Sequence, residues 1–334
     1  MWTTLEVLQL LAAVPLALLF VLLVRDHSSD RSARATLFFV SASLAHSFVT
    51  FVPAASAPGT FLYLLGSLVA GSFWVLAKVH FDDDFRLGPR HFALLAAGLL
   101  ASALASPASG PVGPLLRLLP KVIGLAFAVH ALLTIYVGAR SDLVVSRLRL
   151  RYVVLWSTGT YILLKLLLDA FVEGSPAQAP AELLAGVVRG LLAFGLIALS
   201  LSVRPDILRP PRVDPEAPAV DPRLALLLRR LMEEEFVYRQ EGLTIGGLAD
   251  RMAVHEYKVR QLINDQLGFR NFNAFLNHYR VREAQRLLAD PETRHRNVAE
   301  VAYEVGYRSL APFNKAFKDT TGQTPTEFRS ARLA

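Results

Sequence analysis

The chain has 334 residues, 53% of them hydrophobic, and a positive mean hydropathy of +0.39, above the usual balance of a soluble globular domain. It contains no cysteine, which excludes disulfides, thiolate zinc sites and a cysteine nucleophile. The net charge is +7, but from Asp206 onward 20 Lys and Arg face 18 acids, against 15 and 10 before it, so global charge does not argue for a nucleic-acid partner.

Seven apolar stretches are long enough to cross about 30 Å of hydrocarbon. They run approximately Leu5–Val24, Ala35–Pro53, Thr60–His80, His91–Ala105, Leu115–Ala139, Tyr152–Val172 and Glu182–Val203, the fourth being short and rich in Ala and Gly. The first does not read as a signal peptide: no positive residue precedes it and no small-residue cleavage site follows before Arg25. Basic residues fill alternate loops: Arg25, Arg31 and Arg34; Arg86 and Arg90; Arg140, Arg147, Arg149 and Arg151; then Arg204, Arg209 and Arg212. The loops at 54–59, 106–114 and 173–181 have none. By the positive-inside rule the N-terminus is outside and the C-terminus cytoplasmic.

From Arg204 to Pro222 six prolines make an extended, semi-rigid linker, reaching roughly 60 Å at about 3.1 Å per residue. A helix from Arg223 to Tyr238 follows, with Glu233, Glu234 and Glu235 as a solvated face. The stretch Leu243–Val254, then His255–Leu267, predicts helix, turn, helix. A long helix from Asn273 to Leu288 leads to a second such unit, with apolar residues at Val298, Val301, Ala302 and Val305. Gly306 ends that helix, Ser309 is placed to cap the next, and Pro312 falls in its first turn. The new helix buries Phe313, Ala316 and Phe317 and leaves Asn314, Lys315 and Lys318 polar.

These last hundred residues resemble the AraC/XylS family of transcription activators. The resemblance rests on two helix-turn-helix units in order, the joining helix, the run Gly306-Tyr307 to Phe313–Lys318, and the closing Gly322-Gln323-Thr324-Pro325-Thr326-Glu327-Phe328-Arg329. It covers about a third of the chain. Two departures stand out: His255 occupies the usual Ser or Thr cap, and apolar Leu310 and Ala311 open the second recognition helix. In the first recognition helix Leu262 and Ile263 face the core, leaving Tyr257, Lys258, Arg260, Gln261 and Asn264 for the groove. The resemblance implies base contacts at Tyr257, Arg260 and Gln261, and at Asn314 and Lys315 in the second helix. Arg reads guanine and Gln adenine through paired hydrogen bonds. Arg308 is a phosphate candidate, as are Arg270, Asn271, Arg280 and Arg282.

Ionisable residues inside spans are costly and so are functional candidates. Lys165 and Asp169 are one turn apart on the sixth span, Glu173 continues their face, Arg189 lies in the seventh, Arg117 and Lys121 open the fifth, and His46 and His130 lie deeper. Two readings stay open: a ligand pocket or proton-sensitive switch, and a structural ion pair near the headgroups. The run His80–Arg86 invites a metal, but adjacent residues do not converge on one point, and a juxtamembrane polar clamp suits it better. Gly186 and Gly190 offer a Gly-x-x-x-Gly homodimer face.

The expected fold is all-α: a seven-helix transmembrane bundle over 1–203, the linker 204–222, and an AraC-like domain of two helix-turn-helix units over 223–334. The expected function is a one-component transcription regulator in the bacterial inner membrane. Its partners would be double-stranded promoter DNA, the lipid bilayer, RNA polymerase and a small-molecule or envelope signal. No constellation supports an enzyme, and no cofactor is implied. The rivals are a transporter or channel with an accessory tail, and a scaffold that keeps the helical domain without binding DNA.

Overall fold

The computed structural model describes residues 4–27, 31–53, 56–83, 85–105, 113–172, 185, 188, 192 and 222–333. Among them every regular element is helical, apart from one isolated antiparallel bridge between Asp142 and Asn271. The chain forms two compact units: Met1–Arg140 with Arg149–Leu208, and Ser141–Leu148 with Arg209–Ala334.

The first unit contains α1 (Thr4–His27), α2 (Arg31–Phe48), α3 (Ala57–Ser67), α4 (Val69–Phe81), α5 (Pro89–Ala105), α6 (Gly113–Ala139) and most of α7 (Val145–Val172). Its core gathers Phe73, Trp74, Val75 and Ala77 of α4 with Ala131 and Ile135 of α6, Ala35 of α2 and Val154 of α7. Small residues line the close approaches, Ala42, Ala77 and Ala131 being almost fully buried. Polarity is also inside, with Ser43, Ser72, His91 and Ser102 buried. Leucine and valine on α1, α5 and α6 face outward, as at Leu11, Leu100 and Val137.

Among the described residues one helix, Leu115–Ala139, is long and apolar enough by itself to cross a membrane, at a mean hydropathy of 2.1. The expected third span differs: it is two helices, α3 and α4, bent by 41°. The ladder breaks at Leu68, whose N–H bonds back to Leu65, while the Ser67 hydroxyl takes the Leu64 carbonyl. Such back-bonding bends helices. Counted together, α3 and α4 are also long and apolar enough to cross a membrane. The expected seventh span, the proline linker and the Gly186/Gly190 pair lie outside the described residues, save Ala185, Val188, Leu192 and Pro222.

A buried arginine ties three helices. Arg151 of α7 donates to the carbonyl oxygens of Ile135 (3.2 Å) and Phe81 (2.8 Å), and its guanidinium lies 4.9 Å from the Phe81 ring centre. A cation at the C-terminal carbonyls of α4 and α6 opposes their helix dipoles.

The second unit contains α8 (Pro222–Glu233), α9 (Ile245–Arg251), α10 (Glu256–Gln261, continued by a wider turn over Leu262–Gln266), α11 (Phe272–Ala289), α12 (Val298–Glu304), α13 (Leu310–Thr321) and α14 (Pro325–Leu333). The first of these stops earlier than expected, because Phe236 takes a left-handed conformation and a short 3-10 turn, Val237–Arg239, follows. Two cores lie along α11. One is built on Leu248, Val259, Leu262, Ile263 and Phe275, the other on Leu288, Val301, Val305, Phe313 and Phe317.

Candidate nucleic-acid interface

The first helix-turn-helix pairs α9 with α10. Thr244 caps α9, its hydroxyl accepting from the Gly247 N–H at 3.1 Å. The turn passes through Ala253, at φ 52°. His255 precedes α10 in extended conformation without a side-chain cap, in keeping with its poor capping chemistry. Leu262 and Ile263 are buried, as their spacing predicts.

The second pairs α12 with α13. Asn297 and Glu300 form a reciprocal capping box on α12. Gly306 supplies the left-handed turn at φ 96°. Ser309 is the N-cap of α13 by position, but its side chain makes no cap hydrogen bond, contrary to expectation. Phe313 and Phe317 are fully buried and Ala316 partly so. Thr324 and Glu327 cap α14, the Glu327 carboxylate accepting from the Thr324 N–H at 2.8 Å.

Between the units, α11 carries a polar seam. Arg280 is buried: its Nε donates to the Tyr238 carbonyl (2.7 Å), its Nη2 to that of Gln240 (3.0 Å), and it stacks on Tyr307. It is therefore a tie within the domain rather than the phosphate contact its sequence position suggests. Glu283 accepts from Arg239, and the Tyr307 hydroxyl donates to Asn277 (2.9 Å). Burial pushes the Tyr238 and Tyr307 phenols up to about 12, Glu283 adding to the shift at Tyr238.

Tyr257 and Lys258 are exposed on α10. Gln261 is half-buried, as is Asn264, whose Oδ1 has no partner and whose Nδ2 meets Asp265. On the second unit Asn314 and Lys315 are exposed on α13, and Arg308 is exposed and pairs with Glu241 at 3.0 Å. Arg282 is exposed. Asn271 caps α11 with its side chain.

Arg260 differs from this pattern. It is only 9% exposed: its Nη1 donates to the Asp142 carbonyl and its Nη2 meets Glu256. The sequence places it in the groove, whereas here its guanidinium is already occupied. Its partner is 118 residues away along the chain, so no local pattern signals the contact.

Residues 248–331 match the family model for a helix-turn-helix domain. That domain is of AraC type. The match supports a DNA-binding transcription regulator and double-stranded DNA as its partner. Searches of curated proteins and of solved structures give no match.

Of the candidate signal residues, His130 is exposed on α6 and its Nδ1 accepts from Trp74 Nε1 at 2.5 Å. His46 is exposed on α2, where Gly66 approaches its backbone. Lys165 and Asp169 lie on α7, but their side chains, like the whole of Glu173 and Arg189, fall outside the described residues. In the run His80–Arg86, His80 bonds to the Ser32 hydroxyl (2.8 Å) and Asp82 pairs with Lys78 (3.2 Å).

Proposed function

We propose that the chain is a membrane-bound, one-component transcription regulator. Residues 1–203 form a seven-span membrane domain, 204–222 a linker, and 223–334 a cytoplasmic DNA-binding domain. The observation that carries this reading is the pair of helix-turn-helix units, coinciding with the family match over residues 248–331. Tyr257, Lys258, Gln261 and Asn264 of α10, and Asn314, Lys315 and Arg308 of the second unit, serve as DNA contacts, with Arg260 joining them when released.

Three features support the membrane. The loops alternate between basic and uncharged-or-acidic, as the positive-inside rule requires. Large apolar side chains cover α1, α5 and α6 while serines and small residues are buried, an inversion that suits a lipid solvent. Tyr136, Tyr152 and Trp156 are exposed near the facing ends of α6 and α7, where an interfacial aromatic belt would lie. A signal at the membrane domain, with Lys165, Asp169, Arg189, His46 and His130 as candidate receivers, would then alter the cytoplasmic domain.

Mapping the DNA bound in cells by tagged full-length protein tests the reading. Discrete promoter sites are expected, and these should be weakened by Lys315→Ala and shifted in sequence preference by Gln261→Ala. Membrane fractionation of the same tagged protein should recover it with the bilayer. Membrane-bound protein without any enriched DNA would favour a scaffold instead.

A further inference from the structure

The segment Ser141–Leu148 spans the connection from α6 and the first turn of α7, yet it belongs to the second unit. It pairs with the backbone that leads into α11. The Phe272 N–H donates to the Ser141 carbonyl at 2.8 Å, and the Leu143 N–H to the Arg270 carbonyl at 3.0 Å. Asp142 faces Asn271 in the antiparallel bridge, and Asn271 Nδ2 donates to the Ser141 hydroxyl at 3.2 Å. Leu143 is 1% exposed, set into the core with Leu262, Ile263 and Phe272. Within the segment, Asp142 accepts from the Val144 N–H (3.0 Å) and from Arg147 Nε (2.6 Å), both side chains being buried. This clamp aims the Asp142 carbonyl at Arg260.

We propose that Ser141–Arg147 is an internal competitor for the reading face of the first helix-turn-helix unit, and that Arg260 reads a base only after the segment leaves. The inference rests on the reading that this unit binds DNA. Backbone pairing supplies adhesion and the Leu143 plug supplies register, the same division of labour by which an extended peptide docks on an exposed edge. The Asp142 carbonyl that the segment presents to Arg260 takes the place of an acceptor on a guanine edge. Lys258 and Lys315 stay exposed, so the docked state keeps salt-dependent phosphate binding and loses the part of the first unit's sequence preference that Arg260 supplies. The segment continues directly into α6 and α7, so a stimulus that strains either helix acts on the docked equilibrium. A ligand shifts it only by its difference in affinity for the two states.

The absence of native cysteine allows a clean test in the full chain, reconstituted in nanodiscs. Ser141→Cys with Asn271→Cys replaces two side chains that hydrogen-bond to each other at 3.2 Å. The pair should cross-link under mild oxidation. DNA binding is then read by anisotropy, first on a random-sequence duplex pool and then on duplexes enriched from it by the reduced protein. The reduced form should prefer the enriched duplexes over the pool about tenfold more than the oxidised form does. Leu143→Ser, which removes the plug without any cross-link, should raise that preference above wild type, and adding Arg260→Ala should take the gain back. Equal preference in the oxidised and reduced forms, or a Leu143→Ser gain that survives Arg260→Ala, overturns the proposal. If the cross-link forms but no variant binds any duplex, the docking holds while the DNA-binding reading falls and the competition with it. If no cross-link forms, the docked segment itself is refuted.

Discussion

Replacing Gly306 by alanine probes the turn on which the second helix-turn-helix depends. At φ 96° the residue lies in the left-handed region, where an L-residue costs about 1–2 kcal/mol. A Cβ there would stand 2.7 Å from the Arg239 carbonyl oxygen and 2.8 Å from that of Tyr238. Neither atom can swing aside, since both are backbone and the Tyr238 oxygen is held by Arg280. Overpacking of this kind adds about 1–3 kcal/mol, so Gly306→Ala should cost roughly 3 kcal/mol. Gly322 is the control: its φ is 77°, but nothing lies within 4 Å of its added Cβ. Gly322→Ala should therefore cost only the conformational term of about 1–2 kcal/mol. Against a total stability of about 5–15 kcal/mol the difference is measurable. The assay is urea unfolding of residues 221–334 followed by circular dichroism. Midpoints should fall for both variants, and further for Gly306→Ala with the slope unchanged. Equal losses would show that the close approach to Tyr238 and Arg239 is not what the glycine permits.

Three further outcomes are expected. Arg280→Lys keeps the charge but loses the fork that reaches both Tyr238 and Gln240, and should cost about 2 kcal/mol in the same unfolding assay. Tyr238 and Tyr307 are held up to about 12 against about 10 when unfolded, so the native state prefers the protonated phenols. Their contribution is full below pH about 10 and is lost as pH rises through about 12; at up to ~2.7 kcal/mol per ring, urea midpoints should fall between pH about 10 and about 12. In a bacterial host, periplasm-active reporters fused near Gly59, Gly110 and Ser175 should be active, and those near Ser32, Arg86 and Val145 silent. Activity after Arg212 would reverse the proposed orientation.

Legibility in the sequence followed locality. The second unit was readable because a glycine turn, a proline in the first turn and apolar spacing act within a few residues, and Val301, Val305, Phe313 and Phe317 are buried accordingly. The joining helix, expected over Asn273–Leu288, runs Phe272–Ala289, extended by the Asn271 cap. The family match over residues 248–331 bears out the AraC-type reading of this region. Less was legible where a side chain's fate depends on distant backbone. Arg280 and Arg260 have the composition of groove residues, yet carbonyls 42 and 118 positions away bury them. Hydropathy likewise could not reveal the bend between α3 and α4, because an apolar run has the same average whether or not its ladder breaks at Leu68.

The same dependence on distant backbone gives Gly138 a test in the first unit. An added Cβ at this helical position would lie 2.4 Å from Arg151 Nη1 and 3.1 Å from its Cζ. The guanidinium is ordinarily flexible, but here two carbonyls and the Phe81 ring hold it. Gly138→Ala should therefore displace a buried cation and cost about 1–3 kcal/mol in the wild-type background. Arg151→Met removes the obstacle and leaves a pliable side chain. In that background the same change should be neutral, or stabilising by up to about 1 kcal/mol, since Ala favours a helix over Gly. The sign reversal makes the pair non-additive, which distinguishes a steric dependence from two independent defects. Heating detergent-extracted protein and measuring what remains monodisperse by size-exclusion chromatography reads all four corners of the cycle. If Gly138→Ala lowers the melting temperature equally with and without Arg151, the glycine is not there to admit the guanidinium, and the three-helix tie must be built differently.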